Sequence, residues 1–98
     1  MCGRFTLHDT PEEIIASLDG LNIDCTGLGP FDPCYNVAPT TDTPTVAGGE
    51  TLTAGLRRWG LVPHWAKDPS IGNRMINARG ETVAEKPAFR NLVEKKRC

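Results

Sequence analysis

Thr45-Val46-Ala47-Gly48-Gly49-Glu50-Thr51-Leu52-Thr53-Ala54-Gly55-Leu56 is the stretch on which the fold turns. Its two arms are rich in β-branched and apolar residues and flank a glycine pair. That pattern predicts a hairpin whose tight turn uses positive φ at Gly48 and Gly49. Leu56-Arg57-Arg58-Trp59-Gly60-Leu61-Val62 prolongs the second arm as a strand, and Pro63, which has no N–H for a ladder, stops it. Upstream, residues 3–7 (GRFTL) read as a further short strand. The firmest helix signal is Thr10-Pro11-Glu12-Glu13, an N-cap threonine with glutamate three positions on and proline at the first helical position. Ile14, Ile15 and Leu18 then share one face and Gly20 ends the segment, so residues 11–19 form a short amphipathic helix. Residues 20–44 hold Pro30, Pro33, Pro39 and Pro44 and read as a long irregular connection, interrupted by Tyr35-Asn36-Val37-Ala38-Pro39. After a loop over 63–73, Arg74 to Arg79 is strand-like at its start. Pro87 to Lys96 looks helical, with Phe89, Leu92 and Val93 on one face and cations at its C-terminal end. The sum is an α+β fold of mixed type in a single domain over residues 1–98.

A chain of 98 residues fits one domain with a modest core. Its net charge of −1 hides an uneven distribution. Residues 1–49 carry one Arg against seven Asp and Glu, and residues 50–98 carry ten Lys and Arg against five. A basic surface facing a phosphate backbone follows if Arg57, Arg58, Arg74, Arg79, Lys86 and Arg90 converge. The four cysteines, Cys2, Cys25, Cys34 and Cys98, show neither a C-x-x-C pair nor a histidine at zinc-finger spacing. No metal site and no cofactor are expected, and no disulfide framework. Without a signal-peptide core or an apolar run of membrane-spanning length, the expected compartment is the cytoplasm, with reduced thiols.

The sharpest chemical signal is Cys2 behind the initiator methionine. Methionine is normally trimmed before a small side chain, which would place a free α-amine and a thiol on adjacent carbons, both partly deprotonated near neutrality. Such an aminothiol attacks one aldehyde twice: the amine forms a Schiff base and the thiolate closes a five-membered thiazolidine. Toward an ester or amide, the thiol alone acts as the nucleophile. The plainer reading of Cys2 is a small, semi-apolar start to a buried strand.

Four segments in order carry a resemblance: Met-Cys-Gly-Arg-Phe at 1–5, Tyr-Asn-Val-Ala-Pro at 35–39, Arg-Trp-Gly-Leu-Val-Pro-His-Trp at 58–65 and Ile-Asn-Ala-Arg-Gly-Glu-Thr at 76–82. Together they closely resemble the SOS response-associated peptidase (SRAP) family, whose members shield abasic sites in single-stranded DNA by covalent crosslinking. The resemblance implies a mixed fold around a barrel-like β core with short helices, and a groove that brings single-stranded DNA to Cys2. It makes Cys2 the crosslinking residue and Asn77 the neutral amide beside it, able to hold the thiol or the sugar oxygen by hydrogen bonds. Arg4 and Arg79 match phosphate-contact positions, for which a guanidinium fork is suited, though either also fits a structural ion pair. Pro39 and Trp65 are candidate apolar surfaces for bases. Trp59, His8, His64, Cys25 and Cys34 read as packing or surface residues.

The family pattern continues beyond the Lys-Lys-Arg-Cys segment into a Gly-Phe-Tyr-Glu-Trp type motif and a later histidine, neither present in these residues. The chain therefore reads as the N-terminal portion of such a domain, apparently truncated. Open sheet edges then invite self-association. Two other functional readings stand beside crosslinking: an N-terminal-nucleophile cysteine peptidase or amidohydrolase, and an inactive fragment that binds DNA weakly through phosphates. Self-removal of Met1 accompanies the crosslinking reading. No membrane partner is expected.

Overall fold

A computed structural model describes residues 2–98. The predicted loss of Met1 concerns a residue outside those described. The elements run β1 (Phe5–Leu7), α1 (Pro11–Ser17), β2 (Ile23–Asp24), β3 (Cys34–Val37), β4 (Asp42–Ala47) and β5 (Leu52–Arg58), then a 3-10 helix at Pro69–Asn73. The order is α+β, as expected.

β4 and β5 form the predicted hairpin, antiparallel and in register from Asp42↔Arg58 to Ala47↔Thr53. Ala54 and Thr43 are its buried residues. The turn differs from the prediction. Gly48 to Thr51 separate the strands, and neither Gly48 nor Gly49 adopts positive φ. A loop of this length spreads the reversal over ordinary backbone conformations, so the glycine pair is not needed for a primed two-residue turn. β4 also begins three residues before the expected arm and contains Pro44, tolerated because β4 lies at the sheet edge.

On its other side β5 pairs in parallel with β2, through Ile23↔Leu52 and Asp24↔Thr53. β2 falls inside the segment read as irregular, since two residues make no period. β1 and β3 form a separate antiparallel pair, Phe5↔Val37 and Leu7↔Cys34, with an irregularity between. The Phe5 ring meets Trp59 at 5.3 Å between centroids and so joins the two sheets.

Among the described residues these sheets do not close, and the barrel-like core is corrected to two open sheets. The ladders are too short to continue around: β1 has three residues and β2 two. The core is correspondingly thin, with Val37 and Ala54 its buried apolar residues. The accessible surface of 7360 Å² is about a third more than the ~5,500 Å² expected for a compact chain of this mass. The radius of gyration, 14.5 Å, likewise exceeds the ~13 Å of a compact domain.

α1 keeps its predicted start. The Glu13 amide donates to Thr10 Oγ1 (3.3 Å) and the Thr10 amide to Glu13 Oε2 (2.7 Å). These bonds hold the Glu13 carboxyl below its ordinary value, the Thr10 backbone contributing most. Gly20, at φ +82°, turns the chain away. The apolar face is narrower than expected, because Ile15 is exposed while Ile14 and Leu18 are half-buried.

Two further expectations are corrected. Residues 87–96 form successive turns rather than a continuous α-helix: Arg90, Val93 and Lys96 donate four residues back, and Phe89, Leu92 and Lys95 three back. With Phe89, Leu92 and Val93 only half-buried, packing does not supply what a segment this short needs to stay helical. Residues 74–79 form no strand and make one backbone bond to the end of the hairpin arm, Leu61 N–H to Met75 O at 3.0 Å.

That arm leaves the sheet at Arg58, before Pro63. Gly60 adopts φ +120°, and a Cβ there would collide with the Gly72 carbonyl. Gly60→Ala therefore combines backbone strain with a clash and should destabilise the chain by at least ~2 kcal/mol, lowering the urea midpoint at unchanged m-value. An unchanged midpoint would remove the close approach. For Glu13, a folded-state pKa lowered from 4.5 means its contribution is present above that value and is lost as pH falls through the folded pKa. Far-ultraviolet circular dichroism should show α1 fraying below pH 4.5, with a flatter profile for Glu13→Gln.

Candidate functional site

The N-terminal arm, Cys2-Gly3-Arg4, lies exposed ahead of β1 and is held by two neutral amides from distant parts of the chain. Asn77 Nδ2 donates to the Cys2 carbonyl at 2.9 Å across 75 positions of sequence. Arg4 Nη1 donates to Asn36 Oδ1 at 3.3 Å. Asn77 thus grips the main chain of Cys2, where the sequence pointed to the thiol or a sugar oxygen. Cys2 stays exposed, and the contact engages its carbonyl oxygen.

Asn77 reaches Cys2 because the hairpin arm is tied to residues 72–75. Gly60 and Gly72 approach back to back, Leu61 bonds Met75, and Asn77 follows two residues later. The 3-10 helix before it is capped by Asp68, whose carboxylate accepts from the Ser70 amide (2.9 Å) and hydroxyl (2.8 Å). Those bonds hold the Asp68 pKa below its usual value, the backbone bond contributing most.

Next to Asn77 opens a cavity of about 370 Å³ lined by Trp65, Met75, Arg79, Val83, Lys86 and Phe89 among others, with no carboxylate in its wall. Trp65 is 50% exposed and stands edge-on to His64, 4.9 Å between centroids. Asn77, Trp65 and Arg79 thus share one cavity wall, and Asn77 ties Cys2 to it, with Arg4 two residues along the arm. Pro39 is not in that wall. It sits half-buried in the turn after β3, where the Thr41 hydroxyl donates to the Ala38 carbonyl at 2.6 Å.

Electrostatics favour an anion. Among the described residues no Lys or Arg forms a salt bridge, and a carboxylate is approached instead by an imidazole, His8 Nδ1 lying 2.8 Å from Asp9 Oδ1. The structural ion-pair alternative for Arg4 and Arg79 finds no partner there. Arg57 is tied to Thr45 Oγ1 at 2.6 Å, which fixes its direction and leaves its charge intact. No group of three or more His, Cys, Asp or Glu side chains among the described residues is placed to hold a metal. No helix among them is long and apolar enough to cross a membrane.

Of the cysteines assigned to packing, Cys25 is half-buried with its thiol 3.7 Å from the Ile23 carbonyl, whereas Cys34 is exposed, a correction that follows from its place on the uncovered β1–β3 pair. Trp59, read as core, is half-buried against Phe5. The sequence reading missed three contributors. Asn36 lay within a quoted motif but had no partner in view, and Met75 and Phe89 come to line one cavity only through the turns between their segments.

The model of one protein family, SOS response associated peptidase (SRAP), matches residues 1–98. The abasic site processing protein YoaM of Bacillus subtilis is 48% identical over 100 residues, covering 100% of this chain and 43% of that protein. The abasic site processing protein YedK of Escherichia coli is 36% identical over 98 residues, 94% of this chain and 40% of its own. A Saccharomyces cerevisiae abasic site processing protein is 40% identical over 70 residues, 69% of this chain and 19% of its own. The chain thus spans less than half the length of these curated relatives. No solved structure matches it. Matched by the family model along its whole length, the chain belongs to the SRAP family.

Proposed function

We propose that this chain serves DNA-damage processing by binding single-stranded DNA and joining Cys2 covalently to abasic sites. One observation carries the reading: the neutral amide of Asn77 fixes Cys2 by its carbonyl while Cys2 remains exposed, in a structure where no Lys or Arg among the described residues forms a salt bridge. The relatives' names, abasic site processing proteins, supply the substrate class.

Once Met1 is gone, the Cys2 amine adds to the open-chain sugar aldehyde and water leaves, forming an imine. The thiol sulfur then bonds to the imine carbon, its proton going to nitrogen, and a thiazolidine closes. The sum is aminothiol plus aldehyde giving ring plus water, with no oxidant or metal. Holding the carbonyl of Cys2 fixes the arm without placing a charge or a competing base beside the reacting atoms. Arg4 and Arg79 hold phosphates on either side of the sugar. Trp65 offers a stacking face that tolerates any base, and Pro39 a rigid apolar edge. The reaction is placed in the cytoplasm, and none of its steps uses a membrane.

Incubation with an oligonucleotide bearing one abasic site should give an intact mass equal to protein without Met1, plus DNA, less one water, absent for Cys2→Ala. A cleaved amide product without an adduct would favour the peptidase reading, and salt-sensitive binding that survives Cys2→Ala without any adduct would favour the inactive fragment. In the same series Arg79→Ala should reduce the salt slope of binding by about 0.7 and spare the reaction with a small free aldehyde.

Self-association is a second partner reading, supported by the excess surface and by the open edges of β2 and β4. Sedimentation velocity should show a concentration-dependent dimer, and a monomer at all concentrations would dismiss it.

A further inference from the structure

We propose that Asn36 is a positioning residue for Arg4, holding the guanidinium beside Cys2 while leaving its charge free for a phosphate; this deepens the reading of Arg4 given above and rests on it. The geometry follows from the β1–β3 register. Phe5 pairs with Val37, so Arg4 falls opposite Ala38 and Asn36 is its diagonal neighbour on the same face, a separation that a long side chain bridges. The bond is made, Arg4 Nη1 to Asn36 Oδ1 at 3.3 Å.

The choice of a neutral acceptor matters because of where Arg4 stands. It is the one Lys or Arg in residues 1–49, against seven Asp and Glu. The half of the chain that carries Cys2 would otherwise repel a polyanion. A carboxylate at position 36 would satisfy the same donor and cancel the charge. An amide satisfies it and cancels nothing, and no described carboxylate pairs with Arg4. One of five guanidinium N–H groups is used, which leaves the others for a phosphate. Fixing the side chain in the free protein also removes an ordering cost that binding would otherwise bear.

The test measures reversible binding of an oligonucleotide whose abasic analogue lacks the aldehyde, across a salt series. Arg4→Ala should lower the salt slope by about 0.7. Asn36→Ala should weaken binding about three- to tenfold at unchanged slope. Asn36→Asp, close in shape, should lower the slope by about 0.7 as the carboxylate takes up the guanidinium charge. The double variant Arg4→Ala/Asn36→Ala should bind no more weakly than Arg4→Ala alone. Additive losses in the double variant would overturn the inference, since a general strand-pairing role adds to any other defect. If Arg4→Ala lowers the slope while Asn36→Ala binds like the parent chain, Asn36 alone is dismissed. If Arg4→Ala changes neither affinity nor slope, the phosphate role of Arg4 falls and Asn36 with it.

Discussion

The back-to-back approach of Gly60 and Gly72 is the constraint on which the site depends. Strand β5 ends at Arg58, and the chain must then return across its own 3-10 segment with no room for a side chain between the two backbones. Only glycine meets both demands at position 60, the φ of +120° and the missing Cβ. From there the path is short: Leu61 bonds Met75, and Asn77 reaches the Cys2 carbonyl. A residue 75 positions away thus meets the N-terminus because two glycines let the chain cross. The opposite side of the arm is fixed independently, through Phe5 on Trp59 and β1 on β3.

A consistent electrostatic choice accompanies this geometry. Both anchors of the arm are asparagines, and the cavity beside Asn77 has cations but no carboxylate in its wall. The carboxylates that do make strong hydrogen bonds, Glu13, Asp24 and Asp68, spend them on local backbone, capping α1 and the 3-10 helix and bracing the turn at Thr26. Acidic groups therefore organise the chain without neutralising the arginines. That division keeps the positive field of the second half available to a ligand.

What the sequence made legible follows the range of the interactions. The capping box, the hairpin arms and the turn at Gly20 after α1 are set within a few residues, and their chemistry is visible in the letters. β2 was not legible, because Ile23 and Asp24 are strand only through β5. The turns of residues 87–96 misled in the other direction: their apolar spacing is helical, yet the helix needs a surface to bury it. Cys2 stood out through the chemistry of an aminothiol, Asn77 through the family resemblance, and Asn36, the partner of Arg4, was marked only by the motif that contains it. Their partners are a matter of topology, which no local pattern encodes.

The thin core bears on how that site works. Stability in this fold comes from the β4–β5 ladder and a few contacts around Val37 and Ala54, while Tyr35, Trp65 and Leu21 remain open to solvent. An exposed arm on such a scaffold takes its orientation from discrete polar tethers, each removable by a single substitution. The two amides at either end of Cys2-Gly3-Arg4 hold the Cys2 carbonyl and the Arg4 guanidinium. In a chain that buries so little, hydrogen bonds to the backbone of Cys2 and the guanidinium of Arg4 take over the positioning that packing supplies elsewhere.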